Sequence, residues 1–366
     1  MNEALTRSPG APFASTTMEP WALGTALQQK LQGNQTKLYP DEQETIRIFN
    51  DATTSVVFIT NLSSRRDYFT LDMTEVPQGS GSGFVWDEQG HVVTNFHVVK
   101  GASDLRVTLG SQSTYPAKVV GFDEDKDIAV VEIKAKPEEK LRAIPLGSSD
   151  KLLVGQTVYA IGNPFGLDHT LTRGVISGLQ REIVSGNTGR PIRGIIQTDA
   201  SINPGNSGGP LLDSNGNLIG MNTAILSPSG SSAGVGFAIP VDTINTTVNQ
   251  LLKYGRIVRP QLGIAIAPDQ TVRRVGKRGV LVLQVPPGSP AAAAGLQPTR
   301  RNSYGEIVFG DIITEVEGQR VEGMNDLYRV LDDCKVGQQI NLKVFRDGEG
   351  EVTVTITLGA YVRQFD

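Results

Sequence analysis

The sequence has little of several features on which other classes of protein depend. The single cysteine among 366 residues, Cys334, excludes an internal disulfide framework, and no Cys/His cluster has the spacing of a zinc site. No apolar run approaches the roughly 20 residues that a membrane-spanning helix needs. The 34 basic and 38 acidic residues give a net charge of −4, which provides no basic surface for nucleic acid. We therefore expect no metal, no cofactor, no membrane span and no nucleic-acid partner.

Histidine is scarce as well, and its positions decide how the main motif is interpreted. Gly205–Leu211 reads G-N-S-G-G-P-L, which places Ser207 between glycines, as in a nucleophile on a tight turn. An α/β-hydrolase needs a histidine after its serine, but His91, His97 and His169 all precede Ser207. This excludes the α/β-hydrolase class and a lipase or esterase with it. The order that fits is histidine, aspartate, serine, as in chymotrypsin-like double barrels.

Two further motifs supply the rest of such a triad. His97 lies in the β-branched run V-V-T-N-F-H-V-V, which predicts a strand that leads to the histidine. Asp127 stands at the start of the apolar strand motif D-I-A-V-V. Ser207 would be the nucleophile, His97 its general base, and Asp127 the group that orients the histidine and stabilises the imidazolium.

The motifs T-N-F-H-V-V, D-K-D-I-A-V and N-P-G-N-S-G-G-P-L, in this order, resemble the Deg/HtrA family of serine proteases. The resemblance covers about residues 40–358 and is closest to the plant-type enzymes of the chloroplast thylakoid lumen, with the bacterial periplasm as the alternative compartment. It implies an ATP-independent endopeptidase that degrades unfolded or damaged proteins. It also implies a homotrimer, with stacking to a hexamer or larger left open. The alternative function is chaperone or PDZ-adaptor activity of the same assembly.

The expected oxyanion hole and specificity pocket surround the serine. The backbone amides of Gly205 and Ser207, with Asn206 between them, are the candidates to hold the oxyanion. Two segments are predicted to line the S1 pocket. The segment before the serine contributes Ile202, and the strand after the serine contributes Met221, Asn222 and Thr223, followed by residues 224–225. Neither stretch offers a carboxylate at the pocket base, so a buried basic side chain would lack a partner. We expect cleavage after small or medium aliphatic residues instead, and the family resemblance implies the same.

The strand and helix patterns predict a mainly β chain, with a chymotrypsin-like double β-barrel followed by one α+β PDZ domain. The expected division is a disordered or leader segment at 1–37, a protease domain with an N-terminal helix at 38–240, a connecting helix and linker at 241–260, and the PDZ domain at 261–360. The loop L-G-I, the S-P-A helix start and G-D-I-I resemble PDZ domains of protease-linked type. Leu262, Gly263 and Ile264 would bind a peptide C-terminus, since PDZ domains add an extended peptide to a sheet edge.

Three smaller expectations complete the sequence analysis. The glycine-rich stretch Gly79–Gly83 precedes strands and no helix, so we interpret it as the entry to a hairpin and not as a nucleotide loop. Cys334 falls on the apolar side of a predicted helix and is expected in a core. His169 lies in a turn-rich loop that should be at the surface, and histidine is the side chain that titrates most readily near neutral pH. We hypothesise that protonated His169 favours the active assembly at low pH.

Overall fold

The computed structural model describes residues 38–66, 73–166, 168–223, 234–274 and 276–361. The predicted leader at 1–37 and the last two predicted S1 residues, at 224 and 225, lie outside these ranges. By compactness the chain separates into the units Met1–Arg47 and Ile48–Asp366. Helix α1, Pro40–Thr53, is the N-terminal helix predicted for the segment 38–240.

The first half of the described chain forms a closed six-stranded barrel with the order β1-β2-β3-β6-β5-β4. Closure pairs both edges of every strand, so no edge is left to aggregate. The interior is filled by β-branched and aliphatic side chains such as Val57, Ile59 and Val131. The elements are β1 (Val56–Arg66), β2 (Met73–Val85), β3 (His91–Thr94), α2 (Phe96–Val99), β4 (Asp104–Thr108), β5 (Thr114–Asp123) and β6 (Ile128–Ile133).

A second closed barrel follows, with the order β10-β11-β12-β9-β8-β7, so the predicted double barrel is confirmed. Val93 and Ile128 of the first barrel and Ile161 and Met221 of the second belong to one buried cluster. The two barrels therefore share a core along their seam. The elements are β7 (Thr157–Gly162), a 3₁₀ turn (Pro164–Gly166), β8 (Thr170–Val184), β9 (Pro191–Thr198), β10 (Pro210–Leu212), β11 (Leu218–Thr223) and β12 (Gly236–Pro240).

Helix α3, Val241–Tyr254, closes the double barrel, as the spacing of its apolar residues predicts. Ile244, Val248 and Leu251 occupy one helical face and are buried in the cluster that the barrels share. The helix ends at Gly255, whose φ of 67° is left-handed and whose N–H donates to the Leu251 carbonyl oxygen. A left-handed glycine after the last turn is a common helix stop.

The remaining residues build a smaller α+β module with its own core, centred on residues such as Leu262, Val282 and Leu342. Its main sheet has the order β14-β15-β18-β20-β21, which leaves β14 at an edge of the described sheet. The elements are β13 (Arg259–Gln261), β14 (Ala265–Ile266), α4 (Asp269–Arg274), β15 (Val280–Gln284), α5 (Pro290–Ala293), β16 (Arg300–Arg301), β17 (Ile307–Val308), β18 (Ile312–Val316), β19 (Gln319–Arg320), α6 (Met324–Asp332), β20 (Gln339–Arg346), β21 (Gly350–Thr357) and β22 (Gly359–Tyr361).

Of two local expectations for the first barrel, one is wrong and one is confirmed. The strand before His97 ends at Thr94, and His97 lies in the one-turn helix α2. Gly79–Gly83 lies in the long strand β2, which pairs with β3 across the turn that follows Trp86, so the predicted hairpin entry is confirmed. Its glycines admit neighbours at close range, since a Cβ on Gly83 would lie 2.9 Å from the Val93 carbonyl oxygen. The strand before His97 ends early because the backbone N–H groups of Phe96 and His97 donate to Asp127 and not to a neighbouring strand.

Cys334 lies just beyond the end of α6 and not within it. It is half-buried against the core of the small module, and its thiol donates to the carbonyl oxygen of Val330 at 3.2 Å. Burial raises the pKa of the Cys334 thiol, and the nearby acidic residues Glu317 and Asp333 add to the effect. The thiol is therefore held in its neutral form, which agrees with the expected packing role.

Two glycines with similar backbone angles provide a test of how tightly the first barrel closes. Gly90 has a φ of 100°, and a Cβ there would lie 2.3 Å from the Ile133 carbonyl oxygen, whereas Gly155 has a φ of 94° with nothing within 4 Å. Gly155→Ala should lower the free energy of unfolding by about 1–2 kcal/mol, the cost of a left-handed alanine. Gly90→Ala should cost about 3 kcal/mol or more because strand β6 must also move. Urea unfolding followed by circular dichroism measures both, and equal losses would contradict this account of the barrel.

Candidate active site

His97 and Asp127 are in contact, and the turn that carries Ser207 packs against β2 and β3 of the first barrel, although each of the three belongs to a different part of the chain. His97 is carried by α2, Asp127 ends the connection from β5 to β6, and Ser207 precedes β10. Asp127 and Ser207 are 6% and 4% exposed, whereas the His97 side chain is 37% exposed. The histidine thus faces solvent from a site whose other members are shielded, which suits a base that must reach a substrate.

A direct contact fixes the histidine on the aspartate. His97 Nδ1 lies 2.8 Å from Asp127 Oδ2, and the backbone N–H of His97 donates to Asp127 Oδ1 at 2.9 Å. The backbone N–H of Phe96 and the side-chain amide of Asn95 both donate to the carbonyl oxygen of Asp127, at 3.2 and 3.1 Å. The start of α2 is therefore anchored to Asp127, the residue before β6, by backbone and side-chain hydrogen bonds. Because Nδ1 is engaged, Nε2 is the ring nitrogen left for proton transfer.

Two other side chains complete the coordination of the Asp127 carboxylate. Asn187 Nδ2 donates to Oδ1 at 3.1 Å from the connection between β8 and β9, and Thr223 Oγ1 donates to Oδ2 at 3.3 Å from the end of β11. Asp127 itself has a φ of 56°, a left-handed conformation that aspartate tolerates better than most residues. A buried carboxylate is stable only where its oxygens find donors, and four hydrogen bonds meet that need here.

Ser207 is not hydrogen-bonded to His97 in this state. Its buried hydroxyl has no partner among the residues that the structure describes. Nucleophile and base are often too far apart for a bond before substrate binds, so the arrangement still permits proton transfer. The pair that is already assembled is therefore the base and its orienting acid.

The turn that carries the serine requires glycine on structural grounds. Gly205 and Gly208 have φ of 112° and 81°, and a Cβ on Gly208 would lie 2.2 Å from the Ser82 carbonyl oxygen. The N–H of Asn206 donates to the Asn203 carbonyl oxygen at 3.1 Å, which leaves the predicted oxyanion donors on either side. Neither the Gly205 nor the Ser207 N–H donates to any described residue. Both are therefore available to a substrate oxygen.

The residues predicted to line S1 are buried, and two of them have other contacts. Ile202 and Met221 are 7% and 0% exposed and pack in two different core clusters. Asn222 is fully buried, and its amide donates to the Pro210 carbonyl oxygen at 3.0 Å, whereas Thr223 donates to Asp127. None of the four side chains carries a charge, so the expectation of an uncharged pocket stays a prediction.

The predicted peptide-binding loop of the small module borders a cavity of about 360 Å³. Gly263 has a φ of 73°, and Leu262 is buried in the module core. Between β14 and α6 the cavity wall is apolar, formed by Ile264, Ile266, Leu327 and Leu331. Other residues that line the cavity belong to the double barrel, and several of them are charged, including Asp123, Asp125 and Arg190. The predicted loop therefore lines a cavity that it shares with the double barrel, and peptide binding by this loop stays a prediction.

Ion pairs hold the small module against the first barrel beside this cavity. Arg259 contacts both Asp123 oxygens at 2.5 and 2.6 Å, and it also pairs with Asp125. Burial alone would lower the pKa of Arg259, but the attraction of Asp123 and Asp125 outweighs it and raises the pKa. Arg190 bonds Asp125 at 3.1 Å and lies 3.7 Å from the centre of the Tyr328 ring. These paired charges are largely shielded from water, and charge-assisted contacts are stronger when they are shielded.

The other two histidines have partners of their own. His91, half-buried at the start of β3, has Asp87 as its partner, with His91 Nδ1 2.6 Å from Asp87 Oδ2. None of its described hydrogen bonds is with a triad residue. His169 is also half-buried, which corrects the expected surface position, because its Nε2 lies 3.0 Å from the carbonyl oxygen of Val56. The pH-switch hypothesis for His169 stays a prediction.

Some functional residues were not apparent from the sequence. The sequence pattern indicates Thr223 only as part of the S1 wall, although its hydroxyl donates to Asp127. It gives no signal for Asn187, which contacts Asp127 from a position 60 residues away. Among the described residues, no group of three or more His, Cys, Asp or Glu side chains could hold a metal ion. No helix in the described ranges is long and apolar enough to cross a membrane.

Two closed barrels with a histidine, an aspartate and a serine at their seam define the trypsin-like serine endopeptidases. Two family models agree with this class: a trypsin-like peptidase domain matches residues 81–221, and a PDZ domain matches residues 260–358.

Similar proteins narrow the assignment. The chain is 64% identical over 322 residues to "Protease Do-like 1, chloroplastic" of Arabidopsis thaliana, covering 88% of this chain and 73% of that protein. It is 47% identical over 326 residues to "Protease Do-like 8, chloroplastic" of the same plant, covering 85% and 72%. Among solved structures, "HtrA-type protease AlgW with decapeptide" is similar with a TM-score of 0.65 and 32% identity, covering 87% and 99%. The chain belongs to the Deg/HtrA family of serine proteases, of the plant type.

The two assignments of Thr223 can be separated by experiment. Thr223→Val keeps the shape of the side chain and removes the donor to Asp127, so kcat should fall by about tenfold while three donors still hold the carboxylate. The KM and the set of cleavage sites should stay unchanged. Thr247→Val, at a buried threonine of helix α3, is the matched control and should keep the wild-type kcat. A changed cleavage pattern with an unchanged kcat would assign Thr223 to the S1 pocket instead.

Proposed function

We propose that this serine protease is an ATP-independent endopeptidase that degrades unfolded or damaged proteins. The observation that carries the proposal is the His97–Asp127 contact beside Ser207, on a turn whose two free amides flank Asn206. In the proposed reaction, His97 Nε2 takes the proton of the Ser207 hydroxyl as its oxygen attacks the substrate carbonyl. The N–H groups of Gly205 and Ser207 stabilise the oxyanion, and His97 then returns the proton to the leaving amine.

Independence from ATP is proposed from the family resemblance, and the glycine-rich stretch of β2 does not have the form of a nucleotide loop. Gly79–Gly83 lies within strand β2 and leads into another strand, whereas a phosphate-binding loop opens a helix. We further propose that cleavage follows small or medium aliphatic residues. Support comes from the four residues at the predicted S1 positions, none of which carries a charged side chain.

The PDZ domain is proposed to bind peptide C-termini. The L-G-I loop, Leu262–Ile264, leads into the edge strand β14, and the apolar wall of the adjacent cavity suits a hydrophobic last residue.

The relatives named chloroplastic support placement in the chloroplast, and the thylakoid lumen is the finer proposal, with the bacterial periplasm as the alternative. Assembly into a homotrimer, or a stack of trimers, is proposed from the family resemblance alone.

Substitution of the triad separates proteolysis from the alternative, chaperone or adaptor activity of the same assembly, because only proteolysis needs the serine and the histidine. Ser207→Ala and His97→Ala should each reduce casein degradation by at least about 10⁴-fold with an unchanged circular dichroism spectrum, since triad members act as a unit. Mass spectrometry of the wild-type fragments should place most cuts after Val, Ile, Ala or similar residues.

If either variant kept a tenth of the wild-type rate, the assignment of the triad would be wrong. A majority of cuts after Lys or Arg would overturn the S1 proposal and leave the triad intact. Protection of unfolded casein from aggregation by Ser207→Ala would show a chaperone activity beside the protease.

The PDZ proposal is tested with a peptide and its matched amide. A fluorescein-labelled decapeptide that ends in valine should bind the Ser207→Ala protein, and the same peptide with an amidated C-terminus should bind at least about tenfold more weakly, a loss of 1.4 kcal/mol or more. The loop amides recognise the free carboxylate, which amidation removes. Equal affinities measured by fluorescence anisotropy would contradict C-terminal recognition.

A further inference from the structure

Ser82, in the glycine-rich stretch of β2, joins the first barrel to the turn that carries the nucleophile. It is fully buried. Its hydroxyl accepts the N–H of Asn163 at 2.8 Å and donates to the Gly205 carbonyl oxygen at 2.5 Å. Its own backbone N–H donates to the Ser207 carbonyl oxygen at 2.9 Å. One serine of the first barrel thus binds the carbonyl oxygens of both residues whose amides would form the oxyanion hole.

The peptide unit between those two amides is held at both ends. The carbonyl of Gly205 and the N–H of Asn206 belong to one peptide group. Ser82 Oγ holds its oxygen, and the Asn203 carbonyl oxygen accepts its N–H at 3.1 Å. Because a peptide group is planar, fixing its oxygen and its hydrogen fixes its orientation. The amides of Gly205 and Ser207 flank this unit directly, so their directions depend on it.

This turn needs an external restraint. Gly205 has a φ of 112°, and glycine moves between such conformations at little cost. No helix or strand is present from residue 199 to residue 209. Oxyanion donors act only when they are already aimed at the position of the developing charge. A hydrogen bond from a paired strand meets this requirement, and Ser82 lies within β2, where it pairs with Phe58 of β1.

Ser82 is itself held in place. Thr94 Oγ1 donates to its carbonyl oxygen at 2.7 Å, so the third strand of the barrel supports it from behind. That carbonyl oxygen would lie 2.2 Å from a Cβ on Gly208, which shows how closely the turn lies against the strand. The strand at Ser82 and the turn at Gly208 are therefore in close contact, so neither can shift without displacing the other.

We propose that Ser82 is a positioning residue for the oxyanion hole, and that its hydroxyl holds the Gly205–Asn206 peptide unit in the orientation that directs the Gly205 and Ser207 amides at the substrate oxygen. The inference rests on the oxyanion roles proposed above for those two amides. Ser82 does not contact the substrate and acts only through the turn.

The test is Ser82→Ala, measured with a fluorogenic peptide that carries one casein cleavage site. The kcat should fall about 10²-fold, as for loss of one oxyanion donor, with KM within about threefold of wild type. The inhibition constant of a peptide boronate of the same sequence should rise by the same factor as kcat falls, because its tetrahedral adduct occupies the oxyanion hole. Ser82→Thr, which keeps the hydroxyl, should recover most of the activity.

Ser55→Ala is the matched control, since Ser55 is a serine 1% exposed whose hydroxyl has no described partner; its kcat should equal that of wild type. Thermal unfolding of each variant shows whether the assay temperature leaves it folded. If Ser82→Ala does not fold, Ser82→Cys replaces it, and its weaker donor should give an intermediate kcat and boronate affinity.

A kcat of Ser82→Ala within twofold of wild type, or a boronate affinity that is unchanged while kcat falls, would overturn the inference. The same holds for Ser82→Cys where that variant is used. If Ser207→Ala is inactive while Ser82→Ala behaves as wild type, only the role of Ser82 is wrong. If Ser207→Ala retains activity, the proposed function fails together with this inference.

Discussion

The carboxylate of Asp127 is the constraint around which the active site is built. An ionised carboxylate that is shielded from water is stable only where donors surround it. Here the donors are the backbone and ring of His97, the amide of Asn187 and the hydroxyl of Thr223. They come from the first barrel, from the connection between β8 and β9, and from β11. Satisfying one charge therefore joins the two barrels and sets the orientation of the base.

The PDZ domain is attached to the same connection that ends at Asp127. Asp123 and Asp125, four and two residues earlier, receive Arg259 from the start of the PDZ domain. Buried or half-buried ion pairs of this kind depend on geometry, and losing one partner leaves an uncompensated charge. The connection from β5 to β6 thus supplies acidic side chains to two junctions, one with the base and one with the peptide-binding domain.

The sequence predicts well what depends on local pattern and chain order. The strand that follows Asp127, the strand after the nucleophile and the connecting helix from residue 241 are confirmed, because apolar periodicity and turn residues determine them. The position of His97 in a short helix was not predictable, since contacts of its backbone with Asp127 end the strand early.

What the sequence cannot predict are contacts between distant segments. Asn187 lies 60 residues from Asp127 in the chain, and no motif marks it. Ser82 lies 123 residues from Gly205, in a stretch whose pattern is defined by its glycines and gives no signal for the serine. The cavity beside the PDZ domain likewise appears only once the two domains are packed. In each case a side chain acquires its role from a partner that folding brings near.

The central claim is that His97, oriented by Asp127, activates Ser207. Labelling with a fluorophosphonate tests it most directly, since the reagent phosphonylates an activated serine oxygen and releases fluoride. Peptide mapping by mass spectrometry should place the label on Ser207 in the wild-type protein, and labelling should become at least about 10³-fold slower in His97→Ala. Labelling of Ser207 at an equal rate in both proteins, or of another serine in its place, would contradict the account.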